Sequence, residues 1–334
     1  MKYKDLGRTS LRVSELCLGT MVFGEEGSRG TDASESKKII KKFIDEGGNF
    51  IDTADVYSKG ISEKIVGEAV KEYREDLVIA TKCRFPMGDT PNKRGLSRKY
   101  IRFAVDASLK RLDTNYIDIL YLHGTAPNLT LEDTLHVLND LVSEGKIYYI
   151  GVSNFRAWEL MKALSISNLH GWIRFQAAQY QYSLVERNIE PEFNGLFLAE
   201  NLSSIPWGPL GGGFLTGKYK YGEKPTDGRI SVMPDHTEES WENRSTDRNW
   251  KIIETIQKIH ERTQKSYSQI ALRWLMNRPT VTAPIIGVRT LNQLEDNLGV
   301  IGWDLSSEDM NLLNNVSEPV IHYPYRFINN YCLD

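Results

Sequence analysis

At 334 residues, 40% hydrophobic and 25% charged, the chain has the composition of a soluble globular protein and the length of one large α/β unit or two ordinary domains. A net charge of −3 and a pI near 6.1 leave no electrostatic footprint for nucleic acid or an anionic membrane, and no apolar run is long enough to span a bilayer. Cys17, Cys83 and Cys332 are odd in number, far apart and without metal spacing, so they are read as reduced thiols of a cytoplasmic protein. The charged start Met1-Lys2-Tyr3-Lys4-Asp5 has no apolar stretch behind it and predicts no secretory signal.

Residues 3–13, with Leu6-Gly7-Arg8-Thr9-Ser10-Leu11 at their centre, read as a hairpin set before the main repeat. Short apolar runs rich in β-branched residues then recur at 15–19, 49–52, 77–81, 117–122, 147–152, 175–179, 202–206 and 282–286. Between them lie amphipathic stretches: 34–46, carrying Ile39, Ile40, Phe43 and Ile44 on one face; 97–112; and a helix opened by Thr130-Leu131-Glu132-Asp133. Parallel neighbours need crossover helices, so eight strand–helix alternations predict a parallel sheet. Eight units close most economically into a (β/α)₈ barrel, a TIM barrel of one domain over 1–334. One stretch breaks the rhythm: 219–249, after the seventh strand, is polar, dotted with Gly and Pro, and without period. It is expected to be a long loop over the functional face, as a lid or a disordered segment.

In a barrel the C-terminal ends of the strands converge on one site. The second strand runs out through Asp52 to Tyr57, the third ends at Lys82 and the fourth at His123. A tyrosine with a free pKa of about 10 is a poor acid near neutrality, and a nearby ammonium is expected to lower it. A carboxylate would hold that ammonium charged, and an imidazole on the next strand would orient a carbonyl oxygen. Singly, each residue has an ordinary structural explanation: a strand-end cap, a half-buried aromatic, a solvated charge, a core histidine. Only the barrel makes them a set.

The chain resembles the aldo-keto reductases over nearly its whole length. The resemblance rests on 49–57 (Asn-Phe-Ile-Asp-Thr-Ala-Asp-Val-Tyr), on Gly151-Val152-Ser153-Asn154-Phe155, on 179–184 with Arg187, and on Trp207-Gly208-Pro209-Leu210-Gly211-Gly212-Gly213 through Lys218. It implies that Asp52, Tyr57, Lys82 and His123 are the catalytic tetrad, with Tyr57 as general acid. It also implies NADP(H), with Ser153, Asn154 and Gln179 on the nicotinamide carboxamide and Trp207 stacked on the ring. Gly208, Pro209, Leu210 and Lys218 would follow the pyrophosphate, and Thr20 and Met21 would lie near the nicotinamide ribose. Ser153-Asn154 read equally as a helix N-cap, because Trp158, Met161 and Leu164 follow at helical spacing. No GxGxxG fingerprint follows the first strand, which disfavours a conventional dinucleotide fold.

The phosphate end can be read from the residues. Thr290 and Gln293 form a capping-box pattern, so a helix N-terminus with free N–H groups follows the eighth strand, directly behind Arg289. By resemblance Gly287, Arg289, Gln293, Asp296 and Asn297 surround a 2′-phosphate, which favours NADP(H) over NAD(H); Asp296 is shorter than the glutamate commoner there. Phe23, Trp207, Tyr323, Tyr325, Phe327 and Tyr331 are candidates to line the mouth, with the tail aromatics alternatively packed outside the barrel. The expected activity is reduction of a small-molecule aldehyde or ketone. The alternative is a nucleotide-sensing subunit like the potassium-channel β subunits, which share the resemblance; His123 favours the enzyme. A lyase using Lys82 as a Schiff base is disfavoured, since Asp52 would keep that lysine charged. Members of such families occur as monomers and larger assemblies, so a homo-oligomer stays open.

Overall fold

The computed structural model describes residues 1–24, 30–126, 129–235 and 237–332. In chain order its elements are β1 (Tyr3–Asp5), β2 (Arg12–Ser14), β3 (Cys17–Gly19), α1 (Ala33–Asp45), β4 (Phe50–Asp52), α2 (Ile61–Val70), β5 (Val78–Cys83), α3 (Arg98–Leu112), β6 (Ile117–Leu122), α4 (Leu131–Ser143), β7 (Ile147–Ser153) and α5 (Ala157–His170). There follow β8 (Phe175–Gln179), α6 (Glu190–Glu200), β9 (Ser203–Ser204), α7 (Arg229–Val232), α8 (Trp241–Arg244), α9 (Asp247–Thr263), α10 (Tyr267–Met276), β10 (Ile285–Gly287), α11 (Leu291–Leu298), α12 (Ser307–Val316) and α13 (Tyr325–Tyr331).

Eight strands pair in parallel in the order β10-β3-β4-β5-β6-β7-β8-β9. Amide hydrogen bonds from Thr282 to the Ser204 carbonyl and from Ile285 to the Pro206 carbonyl join the two ends, closing the (β/α)₈ barrel. Cys17, Phe50, Val78, Ala80, Ile119, Tyr121 and Ala177 form one buried cluster inside, while Leu18, Ile51, Ile79, Leu120, Leu122 and Ile150 join the helices outside. That inside/outside alternation on strands buried on both faces explains the unbroken apolar runs. The β1–β2 hairpin sends Leu6 and Val13 into the inner cluster, and its tip is tied down by the Gly7 amide on Ser203 Oγ (2.8 Å) and the Arg8 amide on Gln176 Oε1 (3.1 Å).

Helix starts follow capping chemistry. Asp32 Oδ1 accepts the Glu35 amide at 2.9 Å, Ser97 Oγ that of Tyr100, and Ser266 and Gln269 cap each other reciprocally. Gly67 inside α2 has a different reason. A Cβ there would stand 2.4 Å from the Leu112 carbonyl oxygen and 2.6 Å from its carbon, so α2 and α3 touch backbone to side-chain-free surface. Gly67→Ala should therefore lower the chemical-denaturation midpoint, through a loss of about 2 kcal/mol in unfolding free energy, although alanine normally gains about 1 kcal/mol within a helix. An unchanged or raised midpoint would refute the close approach.

Three expectations need correction. The last strand begins three residues later than anticipated, at Ile285, because Pro284 has no amide to donate to a ladder. Stretch 219–249 is not structureless among its described residues: it carries α7 and α8, and Ile230, Glu239, Ser240, Trp241 and Arg244 are buried. Ile230 and Trp241 join Phe214, Trp250, Ile252 and Trp274 in a second apolar cluster, and Thr246 caps α9, which starts before Asn249. Third, Phe23 is fully buried and does not line the mouth. The tail aromatics stay on the outside of the barrel, Tyr323, Phe327 and Tyr331 exposed and Tyr325 bonded to Glu192 of α6.

Candidate active site

Asp52, Lys82 and His123 end β4, β5 and β6 on one side of the barrel, and Tyr57 opens the 3₁₀ turn that leads from β4 into α2. The Lys82 ammonium donates to Asp52 Oδ1, to the Thr53 carbonyl (2.9 Å) and to the Tyr57 hydroxyl (3.2 Å). Asp52 and Lys82 are buried to 2% and 1% exposure. A buried ion pair survives only when its spare lone pairs are also satisfied, and Asp52 Oδ2 accepts from Gln179 Nε2 at 2.6 Å. Burial acts to lower the lysine pKa, but Asp52 and Tyr57 outweigh it and hold the ammonium above its ordinary range.

For Tyr57 the balance runs opposite to the expectation. Burial of the hydroxyl raises its pKa more than the Lys82 charge lowers it, so the phenol stays protonated at neutral pH. His123 lies edge-on to Tyr57, with ring centroids 5.8 Å apart, and edge-on to Phe85 at 4.8 Å. Burial, reinforced by Lys82 and Arg84, pushes its pKa well below the usual imidazole range, and its Nδ1 is buried without a partner among the described residues. The arrangement thus presents a neutral phenol, a neutral imidazole and a fixed ammonium on one small surface.

Ser153, Asn154, Gln179 and Trp207 meet beside it. Asn154, held at φ +55°, donates to Ser153 Oγ (2.9 Å) and the His123 carbonyl (3.3 Å) and accepts from Trp207 Nε1 (3.3 Å). It is not a helix cap: α5 starts at Ala157, where the Arg156 amide donates to Glu159. Thr20 is fully buried, its hydroxyl committed to the Asp52 carbonyl and Ser62, whereas Met21 is half-exposed.

After β9 the chain passes Trp207, Gly208, Pro209 and Leu210 into a glycine run. Gly212 adopts φ +68°, and a Cβ there would meet Ile230 at 2.8 Å. The Lys218 pKa is lowered by partial burial and by the charge of Arg289, so the two cations feel each other. Across the barrel, Thr290 Oγ1 accepts the Gln293 amide, but Gln293 Oε1 takes the Arg289 amide at 2.8 Å, one residue off the expected box. One helix N–H is already occupied, as Leu291 donates to Glu35 Oε1. Gly287 has open space above it; Asp296 is held by Gln269, and Asn297 is buried. Sequence reasoning missed Arg229, which α7 carries to Met21 Sδ (3.8 Å) while Glu239 holds it at 2.5 Å. A lone arginine in an aperiodic stretch gives no signal for that.

Residues 15–318 match the model of the Aldo/keto reductase family. A probable voltage-gated potassium channel subunit beta of Oryza sativa subsp. japonica is 34% identical, covering 89% of this chain and 90% of its own. Versiconal hemiacetal acetate reductase of Aspergillus parasiticus is 32% identical over 97% and 99%, and a norsolorinic acid reductase of Emericella nidulans 33% over 95% and 82%.

Proposed function

The chain belongs to the aldo/keto reductase family, and from that premise we propose that it reduces an aldehyde or ketone to the alcohol with NADP(H), Tyr57 donating the proton. The observation that carries this is the buried Asp52–Lys82–Tyr57 chain with a neutral His123 at its end. When bound, the nicotinamide supplies a hydride to the carbonyl carbon. Tyr57 hydrogen-bonds the carbonyl oxygen and passes its phenolic proton to it as negative charge develops there. Lys82 stabilises the phenolate left behind, and Asp52 and Gln179 keep that lysine in place. His123, neutral, offers a second hydrogen bond to the same oxygen.

The cofactor fits the residues present. Lys218 and Arg289, which feel each other's charge, offer positive charge to phosphates, and side-chain-free Gly212 and Gly213 allow backbone to approach them. Asn154, Ser153 and Gln179 are the polar groups for a carboxamide, and Trp207 offers a half-exposed ring. Gly208, Pro209 and Leu210 would line the pyrophosphate, and Gly287, Gln293, Asp296 and Asn297 the adenosine end. Arg289→Ala is expected to weaken NADPH binding by about 10- to 100-fold, the worth of a charge-assisted hydrogen bond, with NADH affinity changed by no more than about threefold. Fluorescence titration of both nucleotides measures it; equal losses for the two would remove the 2′-phosphate assignment.

The similarity to channel β subunits supports a second reading, a nucleotide-binding regulatory subunit with little turnover. Following NADPH absorbance against a panel of carbonyls decides: oxidation by wild type establishes the reductase, whereas tight binding without turnover on any carbonyl favours the subunit.

A further inference from the structure

Beyond Lys82, β5 ends and the chain turns at Arg84, whose φ of +152° is rare for a residue with a Cβ. Its Nε donates to the Thr125 carbonyl at 3.0 Å, and its guanidinium lies over the Phe85 ring at 4.7 Å. Phe85 in turn meets His123 edge-on. Gly124 leaves the space open: a Cβ there would come no closer than 4.0 Å to Arg84 Nε.

We propose that Arg84 selects carbonyl substrates carrying a carboxylate or phosphate a short chain away from the C=O, an inference that rests on the reductase reading above. Anchored by Nε and by an aromatic shelf, the side chain keeps one edge, Nη1 and Nη2, uncommitted among the described residues. That edge is the fork that pairs with two oxygens of an oxyanion. Among the described residues Arg84 has no acidic partner. Glu159, the carboxylate that shares Thr125 with Arg84, is taken by the Thr125 hydroxyl (3.0 Å) and the Arg156 amide (2.9 Å). The loop that follows, closed by the Gly95 amide on the Arg84 carbonyl, adds Lys93 and Arg94 against only Asp89. The cation is near enough to the chemistry to be felt there, since it helps keep His123 neutral. An arginine serving only the fold would be expected to spend its terminal nitrogens on a carboxylate or on backbone carbonyls, as Arg187 does with Glu190 and Asn314.

The test uses the NADPH-loaded protein and matched pairs, 4-oxobutanoate against butanal and glycolaldehyde phosphate against glycolaldehyde. Wild type should prefer a charged member by at least about tenfold in kcat/KM, and which pair shows it distinguishes carboxylate from phosphate. In Arg84→Gln the charged-to-neutral ratio should fall by about 10- to 100-fold, through KM rather than kcat. Arg84→Lys should retain part of the preference, and added salt should shrink it in wild type, which tests the idea even if the glutamine variant fails to fold. Independently of turnover, 4-hydroxybutanoate titrated into the NADP⁺ complex should bind more weakly to Arg84→Gln by a similar factor. Equal use of charged and neutral partners by wild type, or a ratio and an affinity unmoved by the substitution, overturns the proposal. Failure of wild type to reduce any carbonyl overturns the reductase reading instead, and the product titration still judges Arg84.

Discussion

Tyr57→Phe should lower kcat for carbonyl reduction by about 10²- to 10⁴-fold, the usual range for a positioned general acid, and leave the NADPH dissociation constant within about twofold. The substitution removes one oxygen and little else. Lys82 is the partner of the Tyr57 hydroxyl, and the lysine keeps Asp52 and the Thr53 carbonyl when the hydroxyl goes. The ring remains edge-on to His123. The loss should therefore appear in kcat with the thermal midpoint almost unchanged. Since burial raises the phenol above its ordinary pKa, wild-type reduction should hold its rate from neutrality into mildly alkaline buffer and decline only where Tyr57 ionises. Comparing single-turnover rates and the pH profile of the two proteins decides it: a variant as active as wild type would strip Tyr57 of the role.

How far this was legible from the residues depends on how local the signal is. The strands announced themselves because parallel strands buried on both faces are mostly apolar, as Val78-Ile79-Ala80 are. Asp52, Lys82 and His123 were readable because a barrel aligns strand ends, and strand ends are set by those same runs. What failed depended on partners distant in sequence. Ile230 and Trp241 carry no period, and it is a cluster with Phe214, Trp250 and others that makes them core. That the Gln179 amide nitrogen also holds Asp52, 127 residues away, had no signal in the sequence. The sign of the Tyr57 shift needed the depth of the pocket, because the Lys82 charge alone argues the other way. Likewise the Leu291 N–H at the start of α11 is taken by a carboxylate, Glu35, from a helix 256 residues earlier.

The second large effect concerns Asp55, which is fully buried and faces the Tyr100 hydroxyl of α3. Burial, then the charge of Glu63, push its carboxyl up from 3.8 to about 7, against the pull of Arg111 and the hydrogen bonds from the Val56 amide and the Tyr100 hydroxyl. Glu63 is equally buried but has Arg111 at 2.6 Å and the Thr81 hydroxyl at 2.6 Å, so that arginine is spent on it; among the described residues Asp55 Oδ1 has no partner. For an acid whose folded pKa is raised, the native state holds the proton longer than the unfolded chain. Stability from this group is thus complete at low pH, falls as pH rises from about 4 to about 7, and is level above that. The full span is about 4 kcal/mol, at 1.36 kcal/mol per unit. Asp55→Asn removes the titration while keeping the acceptor for Val56 and Tyr100. Its amide nitrogen inherits the partnerless position, at a cost of about 1–3 kcal/mol that does not vary with pH. Relative to wild type, the variant should therefore gain about 3–4 kcal/mol between pH 4 and pH 8, whatever its offset at any one pH. Denaturant melts of both proteins across that range test it, and parallel stability profiles would mean that Asp55 is ionised in the fold after all.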